Sequence, residues 1–370
     1  MQIEVYTMNT DDNDLTITLE AICDSFSSLL WDIEYYNCGS FEVYIAASPR
    51  NIEIFQTGRI VGRDDDSQHF GLIESVQIDT NAENGDYLTV KGRFLMCLLE
   101  RRIIYPTLSF TSQTSYGDIV RTAVTNNAIT TGNRKLPGLS LGTVSGAVWE
   151  QNTTLQISYA NLMEWMYTIC EKIGGTANIR LVKDTGETYK MLLDLSEGTD
   201  RSVMQEDNPH IVFSDAYSNL LSFSYAEDAA IQRNFAYILG HGEGDARKRT
   251  TYYIQTEPTY LDRYEVYVDA DDISEEQQID GQSVPIPEEE YIELLKTRGS
   301  ERLVQPKTVS ESEIAAHNTQ YVYNKDYAVG DYVTVQHRRF GMIQPRIQLI
   351  GMIEGFDQNG RSLTPTFKEA

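Results

Sequence analysis

Gly92-Arg93-Phe94-Leu95-Met96-Cys97-Leu98-Leu99-Glu100-Arg101-Arg102-Ile103-Ile104 closes a strand-rich opening segment, and Tyr327-Ala328-Val329-Gly330-Asp331-Tyr332-Val333-Thr334-Val335 opens a strand-rich closing one. Between them the apolar residues change from alternation to the helical period. A β unit at each end with α/β material between them reads as an α+β, β-rich, multidomain chain. At 370 residues it is too long for one ordinary core, so roughly two to four domains are expected.

Residues 1–107 read as strands. Asp11-Asp12-Asn13-Asp14 separates Ile3–Tyr6 from Leu15–Leu19 as a hairpin with a polar turn. Trp31–Tyr36 leads through Asn37-Cys38-Gly39-Ser40 into Phe41–Ile45, where Phe41, Val43 and Ile45 alternate onto one face. Ile60–Gly62 and Phe70–Ile78 follow, and Glu83-Asn84-Gly85-Asp86 turns into Tyr87–Gly92. Short strands separated by turn signals predict a barrel or a sandwich, ended by a helical turn over Leu95–Arg102.

Residues 108–208 take the helical period and form an α/β insert. Ser115–Asp118 starts one amphipathic stretch. Leu162, Trp165, Met166, Ile169, Cys170 and Ile173 fall on one helical face, with Gly174-Gly175 as the stop. That apolar stripe is core packing rather than a cofactor site. Strands at Asn178–Val182 and Tyr189–Asp194 flank a turn at Gly186. Residues 209–240 with 323–370 make a second strand unit, and 241–322 a second α+β insert. The latter holds a strand at Tyr264–Val268, an acidic linker from Asp269 to Pro287, and a helix from Glu288 to about Arg298 stopped by Gly299. Ser310-Glu311-Ser312-Glu313 has capping-box spacing ahead of Ile314-Ala315-Ala316.

The formal charge is −25 and there are 23 tyrosines. So acidic a chain repels phosphate backbones, which argues against tight nucleic-acid binding. An acidic wall would suit a conduit through which DNA slides without sticking, although solubility alone also accounts for the charge. Tyrosine favours pleated, half-buried surfaces and protein contacts. Cys23, Cys38, Cys97 and Cys170 form no C-x-x-C pair and are expected to be reduced thiols. No run of about 18 apolar residues occurs, and Met1–Tyr6 lacks a basic region followed by an apolar one. A soluble protein made without a secretory signal is expected.

No catalytic pattern competes with this architecture. His241-Gly242-Glu243-Gly244-Asp245 is followed by Arg247-Lys248-Arg249 but is not a phosphate loop, and it reads as a glycine-rich turn. Asp269-Ala270-Asp271-Asp272 fails as a calcium loop, because Ile273 and Ser274 stand where a ligand and a glycine are required. There is no H-E-x-x-H and no G-x-S-x-G. His69, His210, His241, His317 and His337 adjoin no cysteine in a nucleophile setting. With 55 acidic residues, some pair of carboxylates will meet in any fold, so carboxylate pairs carry no signal for glycoside cleavage. No catalytic residue, metal or cofactor is assigned. Arg101, Arg102, Arg247, Lys248 and Arg249 are candidate interface cations, suited to carboxylates of a neighbouring subunit.

The order of segments resembles one family. Trp31 with Gly39-Ser40-Phe41-Glu42-Val43, Gly71-Leu72-Ile73-Glu74, and Val90-Lys91-Gly92-Arg93 with Leu98–Ile104 match its opening landmarks. Phe213-Ser214-Asp215, Asn219-Leu220, Asn234 and Gly240–Gly244 match its middle. Arg263–Asp269 and Tyr327–Val335 match its end. Over about residues 30–355 the chain resembles the siphovirus-type tail hub proteins, also called tail-associated lysozyme (Tal)-like baseplate hubs.

The resemblance implies a non-enzymatic homotrimeric hub at the virion tail tip, assembled in the bacterial host cytoplasm. Two β-barrel-like tube domains per chain would form a pseudo-sixfold ring continuing a hexameric tube, with two inserted α/β domains. Implied partners are the distal tail protein ring, the tail tube protein, the tape measure protein and tip or fibre proteins. Genomic DNA would pass through the lumen without specific binding, and the hub would close or gate that channel. Many relatives continue into a peptidoglycan hydrolase or receptor-binding extension. This chain ends at Ala370, so cell-wall cleavage is expected from another protein. The alternatives are a tail-associated cell-wall hydrolase and a receptor- or carbohydrate-binding tail-tip module.

Overall fold

The computed structural model describes residues 1–11, 14–81, 85–130, 132–186, 188–279, 282–305, 307–314 and 320–369. Half of the chain is strand and a fifth helix, a β-rich α+β protein. The opening segment contains β1 (Ile3–Asp11), β2 (Asp14–Cys23), β3 (Ser28–Glu34), β4 (Ser40–Ala46), α1 (Pro49–Ile54), β5 (Ile60–Arg63), β6 (Asp66–Asn81), β7 (Gly85–Phe94) and α2 (Cys97–Glu100). The predicted strands and the helical turn are therefore present, while residues 12–13 and 82–84 of the two predicted turns lie outside the described residues. Alternation sets the layers: Leu29, Trp31 and Ile33 of β3 and Phe41, Val43 and Ile45 of β4 are all buried.

The next segment contains β8 (Leu108–Ser115), α3 (Tyr116–Val124), β9 (Leu139–Val144), β10 (Asn152–Ile157), α4 (Leu162–Ile173), β11 (Gly175–Lys183) and β12 (Thr188–Glu197). Helix α4 ends at Gly174 as its sequence predicts, and its N-terminus carries a side-chain cap. Asn161 accepts from the N–H groups of Met163 and Glu164, and Gly174 ends the helix at φ +79°, a left-handed position that costs glycine nothing. Strands β8, β9 and β10 add to the two strands expected in this α/β segment, where residues 108–157 show only the helical period. Strand β8 reads Leu-Ser-Phe-Thr-Ser-Gln-Thr-Ser, too polar to show an apolar alternation.

Then come β13 (Val212–Ser214), β14 (Leu220–Asp228), β15 (Phe235–Leu239), β16 (Arg249–Tyr253), β17 (Glu265–Asp269), β18 (Glu276–Ile279), β19 (Gln282–Pro285) and α5 (Glu288–Ser300). The chain closes with β20 (Lys307–Ile314), β21 (Tyr332–His337), β22 (Met342–Asp357) and β23 (Gly360–Glu369). Four expectations are corrected here. The acidic linker contains the antiparallel hairpin β18–β19, pinned beside Ile273 and Ile286, both buried. Gly299 lies inside α5 rather than beyond it, because a Cβ there would stand 2.5 Å from Ile238 Cδ1. The capping-box stretch is strand β20, paired with β14 and β23, and Ala315-Ala316 lie outside the described residues. Strand β15, placed by sequence in the second strand unit, pairs instead with β16 and β17 beneath α5.

The main sheet runs β11-β12-β2-β1-β5-β6-β7-β4-β3-β22-β23-β20-β14, with β9, β13 and β21 attached beside this path. Both strand units therefore share one hydrogen-bonded sheet, joined where β3 meets β22 with Trp31 opposite Glu354. Among the described residues there are three apolar cores, two against the main sheet and one under the separate sheet β16-β15-β17. One spans Ile3 to Leu195 and joins the opening strands to α3 and α4, one spans Ile211 to Phe367, and one lies between β15–β17 and α5. All four cysteines are free thiols. Among the described residues no helix is long and apolar enough to cross a membrane.

Candidate functional site

The most heavily built polar site is the seam between the two strand units. Arg63 ends β5, and its Nη1 donates to Glu354 Oε1 of β22 at 3.0 Å, with the two side chains 1% and 0% exposed. Its Nε and Nη2 also bind both oxygens of Asp65, at 2.8 and 3.0 Å. Arg361 of β23 donates from Nη2 to the other Glu354 oxygen. The Arg63 guanidinium lies 4.7 Å over the Phe356 ring and 5.5 Å from Trp31. One carboxylate, itself shielded from water, thus collects two arginines from opposite sides of the seam. Such an arrangement fixes how the two units sit against each other. Arg361 Nε, also buried, has no partner among the described residues.

Beside it, Asp66 Oδ2 accepts from Trp31 Nε1 at 3.0 Å and bonds His69 Nδ1 at 2.9 Å, while Oδ1 accepts from the N–H groups of Gln68 and His69. Burial by itself pushes the Asp66 carboxyl up. The His69 ring, the Gln68 N–H and Arg63 outweigh that and hold it well below the usual carboxylate range. This contribution to stability is present at neutral pH and is lost only as the pH falls through the acid range. His69 lines a cleft of about 440 Å³ that also touches Tyr35, Arg180, Asp194 and Tyr323. The cleft is walled by both strand units and by residues of β9, β11 and β12.

A second node holds the same three parts together. Tyr35 Oη donates to the Gly174 carbonyl at 3.2 Å and accepts from the Gly198 N–H at 2.9 Å, and its ring packs on Gly330. Asp331 accepts from Thr199 N at 2.8 Å, Arg201 Nε at 2.9 Å and Ala328 N at 3.0 Å.

On the outer side of β3, burial and then the charge of Glu34 push the Asp32 carboxyl up to about 6. A carboxyl raised on folding stabilises below its unfolded value, near 3.9, and that contribution is lost as the pH rises through the folded value. Asp32→Asn is therefore expected to raise stability at pH 8 by about 1–2 kcal/mol, allowing for solvent screening of a half-exposed group, and to change little at pH 4. Urea titrations of both proteins at the two pH values measure this.

The arginines and lysine singled out in the sequence are scattered over two regions. Arg102 donates to the carbonyls of Arg134 at 2.6 Å and Arg101 at 2.9 Å, and burial followed by the charges of Arg134 and Arg101 lowers its pKa. Arg134 in turn binds the carbonyls of Tyr105 and Ile103, so this pair ties the end of α2 to the first insert. Arg101 is exposed at the end of α2. Arg247 binds the carbonyls of Gly240 and Leu239 and the Asp269 carboxylate, and Lys248 binds Glu288 at 2.5 Å. Arg249 opens β16 on the exposed side. The two loops weighed for metal binding meet: His241 Nδ1 lies 2.9 Å from the Asp271 carbonyl, and the Gly242 N–H donates to Asp271 Oδ1 at 3.1 Å. Among the described residues no cluster of three His, Cys, Asp or Glu could hold a metal ion.

The seam, the shared sheet and the segments packed on them extend over nearly the entire chain, and so does a match to a known family. The model of the siphovirus ReqiPepy6 Gp37-like protein family matches residues 3–367. The chain belongs to that family of phage tail proteins. No curated protein matches it by sequence. Three solved structures similar to this Gp37-like chain are tail proteins. The tail protein of Neisseria meningitidis MC58 has TM-score 0.56 and 15% identity over 99% of this chain and 96% of its own. The prophage tail protein gp18 of Listeria monocytogenes EGD-e has TM-score 0.56 and 12% identity over 100% and 95%. The 43 kDa tail protein of prophage MuSo2 from Shewanella oneidensis has TM-score 0.57 and 10% identity over 99% and 98%. At such identities these neighbours establish a shared fold, with Gp37-like membership carrying the tail assignment.

Proposed function

We propose that the chain is the structural, non-enzymatic hub of a phage tail tip. In this reading it is a homotrimer that adapts a hexameric tail tube to the tip and closes or gates the DNA channel. The first strand unit and the second, including β20, serve as two barrel-like tube modules, and the α/β segments stand off them as inserts. The observation that carries the reading is the single sheet running through both units, locked at Arg63 and Glu354. A continuous sheet supports a reading in which each chain carries its two tube modules as one body, so that three chains supply six faces to a six-membered tube. Distal tail, tube, tape measure and tip proteins are the partners of such a ring. The acidic surplus lines the lumen and keeps DNA mobile.

Light scattering coupled to size exclusion tests the assembly, with an expected mass three times the 42.0 kDa chain. A monomer at every soluble concentration counts against the hub. Peptidoglycan turnover that one carboxylate substitution abolishes would replace it with a hydrolase.

A further inference from the structure

The second insert carries a broad apolar surface that no described residue covers. On the sheet β16-β15-β17, Ala236, Ile238 and Val268 are buried in the core beneath α5. Tyr237, Tyr253 and Tyr267 on the other face are 42%, 37% and 58% exposed. The loop joining β16 to β17 then presents Tyr260 and Leu261 side by side, 95% and 93% exposed. With Ile254, these side chains expose roughly 650 Å², close to the ~800 Å² that one partner contributes to a standard interface.

The loop is braced. The Arg263 guanidinium lies 3.5 Å over the Phe235 ring and donates to Glu257 at 2.8 Å, Glu265 at 2.6 Å and the Tyr237 hydroxyl at 3.0 Å. Asn234 donates to the Asp262 carbonyl at 2.7 Å and accepts from the Tyr264 N–H at 2.9 Å. Tyr260 itself sits at φ +50°, a left-handed conformation that costs an L-residue energy and that this bracing holds in place. An apolar tip held rigid in water has lost little entropy still to lose on binding.

A second copy of the chain offers a receiving surface. An open groove of about 730 Å³ runs along the seam of the two strand units. It is lined by Phe26, the stacked pair Tyr44 and Tyr87 with ring centroids 4.5 Å apart, Phe356 and Arg361, and also by the carboxyl-bearing Asp24 and Asp357. Tip and groove are different surfaces of one chain. Their contact is therefore heterologous and builds a ring where the rotation between protomers closes, whereas a tip meeting its own copy would stop at a two-fold dimer. A leucine beside the tyrosine, and a Tyr237 hydroxyl already committed to Arg263 and Glu265, suit an aromatic groove better than a sugar surface.

We propose that Tyr260 and Leu261 of one protomer seat in this groove of the next and build the ring. The contact rests on the hub reading above. The double variant Tyr260→Ser, Leu261→Ser removes the tip at exposed positions and is expected to keep its circular dichroism and melting temperature. Trimer association should weaken roughly a hundredfold or more, as expected for two anchor side chains. In a Cys23→Ser background, Leu261→Cys with Ser27→Cys should form covalent trimers under mild oxidation, and neither single cysteine variant should. A wild-type trimer that the double variant retains, with no cross-link, overturns the contact and leaves the hub standing. A wild-type monomer overturns both. An intact trimer whose tip variant loses saturable binding to bacterial cell-wall polysaccharide makes the patch a receptor face, and the contact falls.

Discussion

Glu354→Ala is expected to cost about 3 kcal/mol of folding stability, the low end for a broken buried pair, because it leaves buried Arg63 with Asp65 alone. The Arg63 side chain is 1% exposed and is wedged among Trp31, Phe356 and the strands of the seam. Asp65, its other partner, is 43% exposed and lies outside the interior. Arg361 loses its carboxylate partner at the same time. If the cost comes from a stranded charge and not from lost volume, Arg63→Met combined with Glu354→Leu should recover much of it, since an apolar pair of similar size removes both desolvation penalties. Urea unfolding of the wild type, Glu354→Ala and the apolar pair measures the three values. Equal losses in both variants would mean that the seam depends on the ion pair itself and not on relief of a stranded charge.

Gly330→Val should be nearly as damaging, at about 3 kcal/mol or more from overpacking and backbone strain together. Gly330 adopts φ +101°, which β-branched side chains do not tolerate, and a Cβ there would stand 2.2 Å from the Tyr35 ring. Tyr35 cannot retreat without releasing the Gly174 carbonyl and the Gly198 N–H. The Gly330 carbonyl is hemmed in as well, since a Cβ on Gly198 would lie 1.9 Å from it. The same substitution at Gly186, also a positive-φ glycine but with nothing within 4 Å of a Cβ, is the matched control and should cost backbone strain only. Thermal melts of the two variants distinguish a node of three contacting parts from a generic turn.

Much of this fold is legible in the sequence wherever one element buries one face. Phe41, Val43 and Ile45 alternate because β4 has a wet side, and the Leu162–Ile173 stripe repeats because α4 buries one side against the sheet. Legibility fails where neighbours far along the chain decide. Arg63 and Glu354 are 291 positions apart, and Asp64-Asp65-Asp66 reads as a solvated acidic run although Asp66 is buried against Trp31. The Asp269–Pro287 stretch looks like a linker by composition, yet Ile273 and Ile286 tether a hairpin to the α5 core. Gly299 reads as a helix stop because its steric reason, Ile238, lies on another element. The candidate cations drew notice by charge alone. Arg102 and Arg247 turn out to hold carbonyls of their own chain, a use that local sequence does not distinguish from an interface. The exposed pair Tyr260-Leu261 carries no periodic signal, and only its surroundings mark it out.

An electron-microscopy reconstruction of the tail tip, viewed down the tail axis, tests the central claim most directly. Three copies of the chain should surround the axis with six sheet-bearing lobes, first and second strand units alternating beneath a hexameric tube. Three lobes, or a chain lying off the axis among the fibres, would contradict it.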